Sequence, residues 1–447
     1  MDALAALREA AGEVIETSLC DVQGNWLALV NAEEGKRLAF AANGEAALSA
    51  LWKDVEKEAD VKDVHVSVMA LNANNAALVR RYVKWTAPTA CGTKGASIGF
   101  SDWLGEADAV VAELFGKRQL KPVLVDFTTE DSEALQRYFV QAVDTATWGV
   151  LEEGYKEGYG ANAAGLKTEE EIVKALLYGY SMIGFDCSDK IDLGIEKLSD
   201  EAVDKRFEQF NETFRAALHA SYLNAEFKVG TSKITFTENQ LHRIVLEYGE
   251  AIMHIQFIYN SYLKNTPWDI DFELDLSKPG KVLTPQEHYL IGNELQRNGI
   301  KLSSICLDPL KDSEAVNDNL QLHCEIADTF GYRLSFKNAD IAMNDTAAAM
   351  KYLKGKVHFK MNNILWMSAI ELVKALDADL FGKLCAACGC EATADAADRA
   401  LVLGYRKALN PKEESNVAAD MKAFLEAHHA EYAAAIKENV AAKLKNI

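Results

Sequence analysis

From about residue 88 to residue 361 the chain repeats one unit, a short apolar run followed by a helical stretch. The runs are ASIGF (96–100), PVLVDF (122–127), SMIGFDC (181–187), IDFELDL (270–276), LSSICLD (302–308), YRLSF (332–336) and KVHFKM (356–361). Helical patterns at 105–116, 130–151, 168–178, 237–264, 284–298, 313–329, 344–353 and 366–382 alternate with them. Parallel strands need a crossover long enough to hold a helix, so this alternation implies an α/β fold with a parallel sheet. Seven candidate strands favour a TIM-like (β/α)8 barrel over an open doubly wound sheet, and no G-x-G-x-x-G follows the first run, which argues against a dinucleotide fold. An eighth strand is not evident. Between 190 and 235 the pattern is one long helix, 200–222, and a polar turn, 229–233.

Ahead of the repeat, residues 1–87 read as a small N-terminal α/β domain. It has a helix near 2–18, strands in NWLALV (25–30) and RLAF (37–40), a helix near 43–58, a strand in VHVSVMA (64–70) and a helix to Trp85. The barrel is expected over 88–382. The segment 383–447, rich in Ala, Glu and Lys, is expected to be helical and to cover the barrel or a partner surface. The net charge of -20 opposes binding to nucleic acid or an anionic membrane. The N-terminus lacks the basic and apolar regions of a signal peptide, and no apolar run is long enough to cross a bilayer. With eight scattered cysteines and no disulfide pattern, a cytoplasmic location is expected. Cys385, Cys388 and Cys390 lack a fourth nearby ligand and sit where a helix ends near Gly389, so they are read as structural. The turn Gly92-Thr93-Lys94-Gly95 lacks Walker spacing.

Barrel chemistry collects where strands end. The strand ends supply Asp126, Asp186 with Asp189, Glu273 with Asp275, Asp308, Lys337 and Lys360. Asp186 and Asp189 suit turn capping as well as catalysis. Glu273 shares a face with Asp271 and Asp269 at a period of two. Desolvated at the barrel mouth it would have a raised pKa and suit proton transfer. His254 lies among Ile252, Met253, Ile255 and Phe257, and His323 in LQLHCEIA, both in the manner of core histidines. No H-x-H or H-x-x-x-H pair is present, and no metal ligand set is assigned.

One stretch, ATWGVLEEGYKEGYGANAAGLK (146–167), is unusually patterned: two Gly-Tyr steps lead to a tip, Ala161-Asn162-Ala163-Ala164-Gly165, without acid or histidine. It resembles the signature of the tagaturonate epimerase family, metal-dependent enzymes that interconvert D-tagaturonate and D-fructuronate. The resemblance continues through YGYSMIGFDCSD, YGEAIMHIQFIY, DIDFELDL, HCEIADTFGYRLSF and KVHFKMNNILWMSAIELV, over about residues 75 to 380. It implies that Glu273 stands at the family's proton donor. His254, His288, Asp186, Asp189, His358 and Lys360 also fall on family-like positions. It equally implies losses. Ala164 and Gly165 replace an acid–histidine pair, Lys337 replaces a metal-binding histidine, Ser277-Lys278-Pro279 replaces Asp-Glu-Thr, and Met361-Asn362-Asn363-Ile364 replaces Thr-Ala-Gly-Thr. Thr128-Thr129-Glu130-Asp131 stands where the family has a Gln- and Arg-bearing loop.

The family's divalent metal is therefore not expected here, and no cofactor is assigned. Three functions remain. The first is a pseudoenzyme that binds a ligand, a protein partner or a second copy of itself. The second is a metal-free isomerase, epimerase or lyase on a keto-uronate or related sugar acid. In it Glu273 moves protons, Lys337 and Lys360 clamp a carboxylate or form a Schiff base, and His254, His288 and Asp186 line the substrate site. The third is an epimerase with substituted metal ligands.

Overall fold

The computed structural model describes the chain except for residues 1, 34, 44–47, 117, 119, 277–282, 311–312, 344–345 and 446 and the side chains of 313–317. Eight parallel strands close into a barrel: β1 (Ser97–Phe100), β2 (Lys121–Thr128), β3 (Gly160–Leu166), β4 (Met182–Asp186), β5 (Asp271–Asp275), β6 (Ser304–Leu307), β7 (Arg333–Phe336) and β8 (Val357–Met361). Each pairs with its sequence neighbours, and β8 closes on β1 with His358 opposite Ser97 and Lys360 opposite Gly99. The seven strands read from apolar runs are all present, and the fold is the expected (β/α)8 barrel.

The missing strand is β3, inside the stretch that reads as a loop. Its sequence, GANAAGL, has no β-branched or aromatic residue, so propensity does not mark it. Its small side chains are required by its neighbours. A Cβ on Gly184 of β4 would lie 3.0 Å from Ala164 Cα, and a Cβ on Gly160 would lie 2.9 Å from Val123 Cγ2 of β2. The two Gly-Tyr steps are the way in. Gly154 caps the helix Phe139–Glu153 in the left-handed conformation, and Tyr159 donates from its hydroxyl to the Thr86 carbonyl at 2.8 Å.

Helices follow the expected pattern with breaks. The 130–151 stretch divides at Gln136 (φ 51°) into Thr129–Leu135 and Phe139–Glu153. The 200–222 stretch is two helices, Asp200–Phe207 and Glu212–Tyr222, and the polar turn 229–233 belongs to a small hairpin, Phe227–Val229 with Ser232–Ile234. The 366–382 stretch divides at Asp377 into Ile364–Leu376 and Ala378–Cys388. Thr168 and Glu171 form the capping box.

The N-terminal unit is an antiparallel sheet in the order Glu13–Val14, Asn25–Ala32, Gly35–Asn43, Val64–Met69, Val55–Val61, with Cys20–Val22 also paired to Asn25–Ala32. Among the described residues of 43–58 the expected helix is reduced to the short turn Ser49–Leu51. Val55–Val61 is an edge strand whose sequence VEKEADV is largely exposed, and its closely spaced charges mimic a helix surface while protecting an open sheet edge. The first helix stops at Ala10, ahead of Gly12 (φ 104°). The unit docks on the outer helix Phe139–Glu153 through ion pairs Arg80–Asp144 (2.7 Å) and Lys36–Glu152 (2.6 Å).

The C-terminal helices cover the barrel. Trp103, just after β1, stacks on Tyr405 with ring centroids 3.3 Å apart, and the Tyr405 hydroxyl donates to Asp131 Oδ1 at 2.5 Å. His429–Leu444 lies along Ile364–Leu376, where the Tyr432 hydroxyl donates to the Leu365 carbonyl. All eight cysteines are free, and Cys385, Cys388 and Cys390 sit at the end of a helix capped by Gly389. Among the described residues no helix is long and apolar enough to cross a membrane.

Candidate functional site

The barrel interior is polar, because β2, β5, β7 and β8 place Asp126, Asp271, Glu273, Arg333 and Lys360 where most barrels carry branched apolar residues. At the N-terminal end, Asp271 accepts from the backbone N–H groups of Cys91 (2.6 Å) and Gly92 (3.0 Å). The turn that superficially resembles a phosphate loop is thus occupied by a carboxylate of the chain itself. Arg333 Nη1 donates to Ser97 Oγ at 2.8 Å, and that hydroxyl lies 2.9 Å from His358 Nδ1.

The middle layer holds Lys360, whose Nζ lies 2.5 Å from Glu273 Oε1 and 3.6 Å from Asp126 Oδ1. Glu273 Oε2 accepts from Ser304 Oγ at 2.9 Å, and Asp126 Oδ1 accepts from Asn162 Nδ2 at 2.9 Å. These four charged or polar groups are buried: Glu273 and Asp126 are 1% exposed, Lys360 2% and Asn162 0%. Burial opposes the charge on Lys360, but Asp126 and Glu273 overturn it and hold the ammonium well above its usual range. Burial likewise opposes ionisation of Glu273, yet Lys360 overrides it and holds the carboxyl below its ordinary value. The raised value expected for Glu273 is not found, because the desolvating site also contains a cation. Asp126, farther from that ammonium, is pushed up by burial. His358 is driven down to about 3 by burial, with Lys360 adding to the effect, and is neutral.

At the mouth, Lys337 follows β7 and pairs with Asp275 at the end of β5. Burial opposes its charge, and Asp275 outweighs burial and raises it. Both lysines are therefore committed to carboxylates of the chain. A Schiff base needs a neutral amine, which neither site favours.

The remaining expected residues do not join this group. Asp186, at the end of β4, accepts from Ser188 N at 2.8 Å, and its Oδ2 lies 3.6 Å from Lys167 Nζ, which also holds Asp189, so both acids stabilise the β4 turn at the mouth. His254 lies on the outer helix Glu238–Ile258 against Phe185, with ring centroids 5.4 Å apart, and Phe185 points out of the barrel. His288 is fully buried between Tyr332 OH (2.8 Å from Nε2) and His323 Nδ1 (2.9 Å from Nδ1), again among packed helices. Neither histidine contacts the Lys360 group. Asn162 is the residue that sequence reasoning passed over, since its polarity is functional only if β3 is a strand. Ser277-Lys278-Pro279 lies outside the described residues.

The family resemblance implies a divalent ion, and among the described residues two lysines, Lys360 and Lys337, stand beside the acids that would hold it. Asp126 Oδ2, His358 Nε2 and Asn162 Oδ1 are buried without hydrogen-bond partners, and the first two lie 4.0 Å apart. The Lys360 ammonium, 3.6 Å from Asp126 Oδ1, would repel a second cation. Lys337 does the same beside Asp275. Gly165 and Ala164 place no donor on β3. Among the described residues the one group of three His, Cys, Asp or Glu ligand atoms within 4.8 Å of each other lies elsewhere, at His219, Glu238 and His242.

Comparison with known proteins gives this arrangement its context. The family model described as tagaturonate epimerase matches residues 15–431. The tagaturonate/fructuronate epimerase of Thermotoga maritima is 27% identical over 383 residues, which is 83% of this chain and 78% of that protein. A one-glycerol complex of the fructuronate-tagaturonate epimerase from Cohnella laeviribosi superposes with a TM-score of 0.85 at 24% identity, covering 98% of this chain and 96% of that one. A two-glycerol complex of the same protein gives 0.84 at 25% identity, covering 98% and 97%. With a match running from the N-terminal sheet into the C-terminal helices, the chain belongs to the tagaturonate epimerase family.

Proposed function

We propose that this chain is a binding protein built on the family's sugar-acid barrel. It takes up a keto-uronate or related sugar acid at the mouth beside Lys337 without metal-dependent epimerisation. One observation carries the reading: Lys360 stands between Glu273 and Asp126, where carboxylates would otherwise attract a cation. An ion that orients a hydroxy-ketone and steadies its developing negative charge lowers the barrier by several kcal/mol, and two fixed ammonium groups leave it no site. Lys337 is the more accessible of the two, with its side chain 24% exposed, so an incoming carboxylate can compete with Asp275 for it.

The test is proton NMR of D-tagaturonate incubated with the chain, alone and with nickel, manganese or zinc, beside calorimetric titration of the same sugar acid. Binding without metal, weakened by Lys337→Ala, with no inversion at C4, is the expected result. Cation-dependent inversion would revive an epimerase with substituted ligands. Absence of sugar-acid binding together with a stable protein assembly would transfer the role to a protein partner.

A second reading, metal-free isomerase, epimerase or lyase chemistry, is favoured by a different observation. Glu273 is held as a carboxylate while Asp126 is pushed toward its acid form, the separation of roles that proton transfer uses. Turnover without metal that disappears in Glu273→Gln would select this reading.

A further inference from the structure

The insertion between β4 and β5 brings together residues that the barrel does not use. His219, on Glu212–Tyr222, points its Nε2 at Nε2 of His242, on Glu238–Ile258, at 2.9 Å. Glu238, one turn before His242 on the same helix, places Oε1 4.0 Å from that nitrogen. All three ligand atoms lie within 4.8 Å of one another. Asp204, on Asp200–Phe207, accepts from His242 Nδ1 at 2.7 Å, which fixes that tautomer and leaves the Nε2 lone pair facing the cluster. Phe207 stacks on both imidazoles, at 3.8 Å from the ring of His242 and 5.6 Å from that of His219.

We infer that His219, His242 and Glu238 form a transition-metal site for zinc or a similar borderline ion, outside the barrel. Two imidazoles with one carboxylate suit zinc and its neighbours rather than magnesium or calcium. Two nitrogens on one tetrahedral zinc stand about 3.3 Å apart, so the histidines part by a few tenths of an ångström. The exposed Glu238 side chain needs only to swing inward. A carboxylate behind a ligating histidine, as Asp204 stands, is the usual support for such a site. Without metal, His219 Nε2–H donates to His242 Nε2. On binding, that proton passes to His219 Nδ1, so neither imidazole need become charged. Three protein ligands leave a fourth position for water. The ion would join the insertion helix Glu212–Tyr222 to the long helix that leads into β5, with Asp200–Phe207 attached through Asp204.

The His288–His323 pair is the internal contrast. It has the same 2.9 Å nitrogen separation, but both rings are buried and among the described residues no carboxylate completes a ligand group with them, so it is a hydrogen-bonded core pair.

The experiment is zinc titration of the chelator-stripped full chain against a chromophoric competitor, with cobalt absorption to identify the ligands. One ion per chain is expected, without a thiolate charge-transfer band. Binding should fall at least 100-fold in His219→Gln, fall about 10–100-fold in Asp204→Asn and remain unchanged in Cys388→Ser, with near-UV circular dichroism confirming the fold of each. Failure of the unmodified chain to hold zinc at micromolar concentration overturns the proposal. So does binding that survives His219→Gln, which would place the ion on the cysteines or in the barrel.

Discussion

Lys360 Nζ lies 2.5 Å from Glu273 Oε1 across the barrel axis, joining β8 to β5 through a pair that is almost wholly buried. With Asp126 3.6 Å away on the other side, one cation answers two acids. Such a group is tolerated inside a protein only while every member keeps its partners, since removing one strands the others in a medium that cannot solvate them.

Lys360→Met should therefore destabilise the fold by about 3–5 kcal/mol at neutral pH, measured by urea unfolding. The double variant Lys360→Met with Glu273→Gln should recover part of the loss. Additive losses would show that the pair is not coupled. The sign follows from the directions of both shifts. The lowered Glu273 contributes stability above its unfolded pKa and loses it as pH falls through its folded value. The raised Lys360 contributes below its unfolded pKa and loses it only at strongly alkaline pH.

His323 is held down at about 4, chiefly by burial, so it stays neutral in the folded chain while the unfolded chain takes up a proton near pH 6.5. Stability should decrease as pH falls through that window. His323→Gln should remove up to about 1.4 kcal/mol per pH unit of that slope between roughly pH 4 and 6.5. Unfolding midpoints of the two proteins across pH 4–8 give the difference directly, and identical slopes would contradict it.

Gly149 allows the helices Asp108–Phe115 and Phe139–Glu153 to touch. A Cβ there would lie 2.7 Å from Ala109 N, a backbone atom that cannot swing aside. Gly149→Ala should cost about 1–3 kcal/mol despite its better helix propensity. A gain in thermal midpoint would show that the two helices separate freely.

Trp103 is buried beneath Tyr405, and Asp131 is held both by the Tyr405 hydroxyl and by Arg406 Nε at 2.8 Å. Trp103→Ala should cost about 3–5 kcal/mol, whereas Tyr405→Phe should cost only about 1 kcal/mol because Arg406 still satisfies the acid. Limited proteolysis should detach the C-terminal helices first in Trp103→Ala.

The barrel was legible because seven of its strands are rich in branched or aromatic residues bounded by helical patterns. β3 was not, since steric demand there selects Gly and Ala, and a strand chosen for smallness leaves no pattern of hydrophobicity. That omission hid Asn162. The edge strand Val55–Val61 misled in the opposite way, its charges serving to block pairing rather than to face solvent from a helix. In the interior, Glu273 and Lys360 were legible as strand-end groups, but their direct contact was not, because 87 residues separate them in sequence. His254 and His288, which the resemblance placed at family positions, pack among the outer helices. His219 and His242 stand on different helices, so no short spacing announces them.

The closing seam between β8 and β1 joins residues 261 apart. During synthesis the N-terminal sheet, built from hairpins of near neighbours, can settle while most of the chain is still on the ribosome. The barrel has no such freedom. Until about four-fifths of the polypeptide has emerged, Ser97–Phe100 waits with an unpaired edge and Glu273 has no Lys360. Completion of this protein is thus a late and nearly all-or-none event, and the nascent chain before it is the form most exposed to aggregation and most dependent on chaperones.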